Sequence, residues 1–242
     1  MRKNVAILLP LTLAFIVAAC ATYDGSRIAR WESRFAAVPP GAMTPDQLLA
    51  ETRIKLDIIP AGTVGRRNYR PMNPRYITIH STQNYTGNAY QHALALKRGA
   101  LRATKRKGGN RIGFLTWHFT VQDDIAIQHL PCREQGEHAD FDGVGNNYSI
   151  GIEMCEHHGN DLGQTIDRTA RLAAYLMRAY NIPLDHVVPH YHWPRVGVSP
   201  LHKDCPHFLL EHGRPGQTWR WFQGRVQFHY NRMLAGPANP LG

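Results

Sequence analysis

Asn147-Tyr-Ser-Ile-Gly-Ile-Glu153-Met154 is the run on which the fold turns. Ile150, Ile152 and Met154 fall at every second position, with Ser149, Gly151 and Glu153 between them. A period of two marks a β-strand, whose side chains alternate between faces. One face is therefore expected to enter a core. The other carries small residues, open to an approaching substrate, and ends in a carboxylate that is costly to bury alone. Glu153 is accordingly a candidate general base beside a metal or cation, with a structural ion pair at the strand end as the competing reading.

Working outward, Tyr76-Ile77-Thr-Ile-His80 reads as a second strand that delivers a histidine at its end. Two later runs carry the same chemistry: His190-Tyr-His192-Trp193, and Lys203-Asp-Cys205-Pro206. Imidazole and thiolate are ligands that zinc prefers. Two histidines and a cysteine from distant parts of one fold would make an open, three-ligand site of catalytic type. The spacing matches neither compact zinc fingers nor HExxH, and fourteen histidines in a basic chain also scatter by chance. Lys203, two positions before the cysteine, would place a cation where negative charge develops on a carbonyl oxygen. His118 and His138 are auxiliary candidates, His118 as a core or pocket-wall residue and His138 as a loop residue touching substrate. The cluster Glu156-His157-His158 reads as a solvated loop.

The remaining pattern alternates strands with helices. Thr44-Pro-Asp-Gln47 is a capping box that starts a helix expected to reach about Asp57. A helix is expected over Ala89–Ala103, and a hairpin from Trp117–Val121 and Ile125–Leu130 around Asp123-Asp124. Thr165–Tyr180 is amphipathic and stops at Asn181-Ile-Pro183. Val187-Val188 leads into His190. Trp219–Leu234 forms a last helix whose Trp219, Phe222, Phe228 and Tyr230 are expected to pack the core. The fold class is α/β: a single domain with a central mixed sheet flanked by helices.

The ends carry different information. Arg2 and Lys3, the apolar run Val5–Val17 and the small residues before Cys20 read as an export signal over residues 1–19. The apolar run is short for a membrane span. A cysteine there resembles the lipobox of bacterial lipoproteins. That implies acylation of Cys20, a lipidated tether over residues 20–43 and, with Ala21 following, an outer-membrane protein facing the periplasm; a secreted or inner-membrane form is the alternative. The main domain is expected over residues 44–234, with a flexible tail at 235–242. The net charge of +10 predicts attraction to a polyanion, which for an exported chain means cell wall or anionic lipid rather than nucleic acid. The densest basic patch, Arg102, Lys105, Arg106, Lys107 and Arg111, reads as a surface loop. Cys132 and Cys155 are compatible with a bridge or with two buried thiols.

Taken together, the runs from Ile77 to Thr82, Trp117 to Asp124, Gln128 to Pro131, Gly136 to Ala139, Asn147 to Glu153, Val187 to His190 and Lys203 to Pro206 resemble the zinc-dependent N-acetylmuramoyl-L-alanine amidases of the second type. That family also includes phage lysozymes of amidase type and peptidoglycan recognition proteins. The resemblance covers about residues 70–230. It implies zinc held by His80, His190 and Cys205, catalysis by Glu153 with Lys203, and cleavage of the amide joining the muramic acid lactyl group to L-alanine, in wall remodelling or recycling. The expected partner is peptidoglycan or muropeptides, and the chain is expected to be a monomer. A peptidoglycan-binding module of the same fold without hydrolysis is the alternative. Three departures stand out. Cys205 follows His190 by fifteen positions, a longer loop than most members carry, which leaves His192 or Asp204 as possible replacement ligands. Cysteine stands where many bacterial relatives have aspartate. The segment Arg102–Gly113 is enlarged and basic.

Overall fold

The computed structural model describes residues 25–35, 41–103 and 113–241. The export signal, Cys20 and most of the basic patch lie outside them. The ordered elements are α1 (Gly25–Glu32), α2 (Pro45–Thr52), β1 (Ile54–Leu56), β2 (Tyr76–Ser81), α3 (Ala89–Lys97), β3 (Phe119–Val121), β4 (Ala126–Gln128), α4 (Val144–Tyr148), β5 (Ser149–Met154), α5 (Leu162–Tyr180), β6 (Val187–Pro189) and α6 (Gln217–Arg232). Among the described residues the strands make one mixed sheet of order β1-β4-β3-β5-β2-β6. Only β3 and β4 are antiparallel, as the hairpin requires.

The period-two reading of β5 holds. Ile150, Ile152 and Met154 are fully buried in one cluster with Ile77 and Ile79 of β2 and with Ile166, Ala170 and Ala173 of α5. Each isoleucine or methionine buried there contributes about 1.5–3 kcal/mol. α5 is held at its start by the Asp161 side chain accepting from the Gln164 N–H, and ends where Asn181 turns left-handed at φ 54°. α6 lies across α5 and adds Trp219, Phe222 and Val226 to that core. On the opposite face α3 packs Ala89 and Ala93 against Ile127 and Cys155. Helices thus cover both faces, and the C-terminal ends of β2 and β5 are left for chemistry.

Several expectations are corrected. α2 stops at Thr52 rather than Asp57, because Arg53 takes a left-handed conformation at φ 51° and redirects the chain into β1. α3 stops at Lys97 rather than Ala103; Gly99 at φ 62° ends it. Within the supposed tether, residues 25–35 form a docked helix and turn. Trp31 packs edge-on against Phe208 and beside Trp221, and Phe35 stacks on Trp221. The C-terminal segment lies against the body, since Tyr175 and Tyr180 donate to the Asn239 and Leu241 carbonyls. Phe228 is exposed while Trp219 and Phe222 are buried. Cys132 and Cys155 are free thiols in separate clusters.

Candidate metal centre

Parallel pairing of β2 with β5 sets His80 directly beside Glu153. Both lie on the face opposite α5, because Ile79 and Ile152 occupy the core side. β6 runs on the other flank of β2, and its end turns His190 back over the same edge. The loop after it brings Cys205 underneath. His80, His190 and Cys205 are all buried, with one ligand atom from each lying within 4.8 Å of the others. His192 and Asp204 are exposed, and it is Cys205 that joins the two histidines in the candidate ligand group.

Hydrogen bonds settle which nitrogens face the centre. A carbonyl can only accept, so the Nε2–H of His138 donates to the Ser149 carbonyl at 3.3 Å. That leaves His138 Nδ1 as an acceptor for His80 Nε2–H at 3.0 Å. His80 therefore points an Nδ1 lone pair inward, 4.0 Å from Cys205 Sγ and 3.8 Å from a Glu153 oxygen. The Nε2–H of His190 donates to the Ala139 carbonyl at 3.0 Å, and its Nδ1 is buried with no hydrogen-bond partner among the described residues. Orienting bonds of this kind are what metal-binding histidines require.

The electrostatics agree. Burial, then the neighbouring charges of His190, His138 and Lys203, holds His80 well below the usual imidazole range. Burial and the Lys203 charge bring His190 down to about 3. Both rings are neutral lone-pair donors at any ordinary pH. Burial, followed by the charge of Glu153, raises the Cys205 thiol to about 12. Two neutral imidazoles, a thiol that ionises only beside a cation, and an orphaned inward nitrogen form a donor set suited to a zinc ion.

Around this centre lies a cavity of about 240 Å³, lined among others by Glu137, His138, Glu153, Arg195 and Lys203. Glu153 presents one edge to it, with a buried second oxygen that has no partner among the described residues. Burial pushes its carboxyl up to about 7; the Lys203 ammonium opposes that shift and Glu156 reinforces it.

The auxiliary candidates divide. His138 reaches the cavity, and it also orients His80. Gly151 makes room for it, since a Cβ there would sit 2.9 Å from three atoms of its ring. The small-residue face of β5 is thus filled by His138 rather than open to substrate. His118 is fully buried as a structural residue. Its Nε2–H donates to the Glu134 carbonyl and its Nδ1 accepts from the Gly151 N–H. The Glu156 loop is not simply solvated either, for the Glu156 side chain is 6% exposed and pairs with His207. Glu137 and Arg195 were not singled out by the sequence. Glu137 sits inside a motif already noted, but no periodicity marks its direction, and Arg195 lies in an irregular loop.

Residues 70–208 match the family described as N-acetylmuramoyl-L-alanine amidase, type 2. The chain belongs to that family. This amidase-family chain is similar to the N-acetylmuramoyl-L-alanine amidase CwlH of Bacillus subtilis (strain 168), at 39% identity over 163 residues, 66% of this chain and 57% of that protein. It is similar to XlyA of the same organism at 38% over 173 residues, 70% of this chain and 50% of that one. It therefore spans about half the length of the curated relatives it matches. Among solved structures, the catalytic domain of XlyA aligns over 72% of this chain and 99% of that domain, with TM-score 0.58 and 36% identity. The PlyG catalytic domain aligns over 76% and 99%, with TM-score 0.57 and 25% identity.

Proposed function

We propose that this chain is a zinc-dependent N-acetylmuramoyl-L-alanine amidase, hydrolysing the amide between the lactyl group of N-acetylmuramic acid and L-alanine of the stem peptide. The observation that carries the reading is the convergence of His80, His190 and Cys205 beside Glu153 and Lys203, in one cavity of a chain from this family. Zinc, when bound by those three side chains, supplies Lewis-acid polarisation and acidified water. Glu153 takes a proton from the attacking water and returns it to the departing amine nitrogen, a double role that suits a carboxyl near neutral pKa. Lys203 places its ammonium where the carbonyl oxygen gains negative charge. His138 and the Ala139 carbonyl keep the two imidazoles aimed. Mass analysis of products from defined muropeptides tests this: free stem peptide is expected, abolished by EDTA and restored by zinc. Activity unchanged in chelator, or cleavage at another bond, defeats it.

As part of the same reading, the chain acts in wall remodelling or recycling, from the outer membrane facing the periplasm, through a lipid on Cys20. No helix among the described residues is long and apolar enough to cross a membrane. Because α1 is docked, only five residue steps separate Cys20 from Gly25, at most roughly 18 Å when fully extended. A lipidated enzyme would work close to its bilayer. Metabolic labelling with a fatty-acid probe, lost on Cys20→Ala, is the expected result; labelling that persists would remove the anchor.

A further inference from the structure

We infer that Glu156 and His207 are positioning residues for the sulfur ligand, acting through Ser81. The inference rests on the zinc reading of the site. Cys205 is carried by an irregular loop, so its own backbone is not held by strand pairing and its thiol is aimed by contacts at the end of β2. Its Sγ accepts the Ser81 backbone N–H at 3.3 Å, and the Ser81 hydroxyl lies 4.0 Å away. Ser81 is the last residue of β2, immediately after the ligand His80, and the position of its N–H therefore decides how sulfur and imidazole sit together.

Ser81 is held in turn from behind. A carboxylate can only accept, so His207 Nε2–H donates to Glu156 Oε2 at 3.3 Å. His207 Nδ1 then accepts from the Ser81 hydroxyl at 3.3 Å. The other Glu156 oxygen accepts the Gln83 N–H at 2.5 Å, and the Gln83 side chain donates to the Asp204 carbonyl at 3.0 Å. One carboxylate from the loop after β5 thus ties the end of β2 to the loop on both sides of Cys205. The logic repeats the line of Ser149, His138 and His80: an acceptor that cannot donate fixes a ring, and the ring fixes the next group.

A bland alternative is an ion pair that merely adds stability. Exposed pairs of that kind contribute little, but the Glu156 side chain is 6% exposed, while that of His207 is 33% exposed. The geometry is also specific, since both oxygens are used on different segments.

The test measures metal binding in the full-length protein. Glu156→Gln swaps one acceptor for a donor at nearly constant shape, and His207→Ala removes the ring. Zinc affinity, read by competition with a chromophoric chelator, is expected to fall by about 10- to 100-fold in each. In the cobalt(II)-loaded protein the sulfur-to-cobalt absorption band should shift or weaken. The melting temperature of the metal-free variants should stay within a few degrees of wild type. If His207→Ala does not fold, His207→Gln serves in its place. Affinities within twofold of wild type, or an unchanged cobalt band, overturn the inference. So does a metal-free protein destabilised as much as the loaded one. A wild-type protein that takes up no zinc overturns the underlying site reading instead, and is recognised before any variant is made.

Discussion

At the scale of single residues, the decisive question is what each side chain can accept or donate. One buried oxygen of Glu153 has no hydrogen-bond partner among the described residues, and its carboxyl is raised to about 7. Replacing it by glutamine keeps the shape and removes the base. Turnover is expected to fall by about 10²- to 10⁴-fold with zinc content unchanged, read by product chromatography alongside metal analysis. Gly151 offers a different test. Its missing side chain lets the His138 ring lie on β5, and an alanine Cβ would come within 2.9 Å of three ring atoms. Gly151→Ala should destabilise by about 1–3 kcal/mol and weaken zinc binding, because a displaced His138 no longer orients His80. Chemical denaturation and chelator competition measure the two effects separately; an alanine variant with wild-type affinity would show that His138 does not align the ligand. Both residues stood out in the sequence, one as an acid on an apolar strand and one by its small size. Neither signal could say that His138 fills the space above Gly151, since His138 is thirteen positions away on a loop.

At the scale of elements, α5 and α6 are joined by more than apolar contact. Asp167 on α5 is buried and receives hydrogen bonds from Arg171, Arg225 and His229 at 2.7, 2.6 and 2.8 Å. Burial pushes its carboxyl up, yet the His229 and Arg225 hydrogen bonds and the charges of His229 and Arg171 outweigh that and hold it down at about 2. The folded value lies below that of an unfolded aspartate, about 3.9. Its stabilising contribution, about 2–3 kcal/mol, is therefore complete above pH ~4 and is lost as pH falls through about 2. Asp167→Asn is expected to cost about 3–5 kcal/mol near neutral pH, since it strands the buried Arg171 and the half-buried Arg225. In urea unfolding that difference should hold above pH ~4 and shrink as pH falls from about 4 through about 2, and a pH-independent gap would contradict the assignment. The helices themselves were legible from periodicity and caps. Their partnership was not, because an aspartate on an amphipathic helix looks like a solvent-facing residue until the helix that covers it is placed.

For the whole molecule, the candidate ligands come from three stretches of chain separated by more than a hundred residues and by fifteen, so binding of an ion there should be coupled to global stability. A ligand that binds only the folded state adds about 2.7 kcal/mol at a hundred times its dissociation constant. Calorimetry should show the melting temperature rising with zinc and falling in EDTA, and Cys205→Ala should lose most of that response. A wild-type transition indifferent to both would leave the centre without a metal.

Local pattern in the chain is enough for the strands β2 and β5, the long helix α5, the α/β class and the side chains chemically suited to a candidate site. Those properties are written in short-range periodicity and in the chemistry of individual side chains, and both survive without knowledge of the rest of the chain. Folding in three dimensions is what places Cys205, rather than His192 or Asp204, in the candidate ligand group, sets His138 against His80, braces β5 with His118 and ties Glu156 to His207. Each of these depends on which loop lies over the ends of β2 and β5. Loop paths are set by packing and by hydrogen bonds between residues far apart in sequence, which leave no local pattern to read.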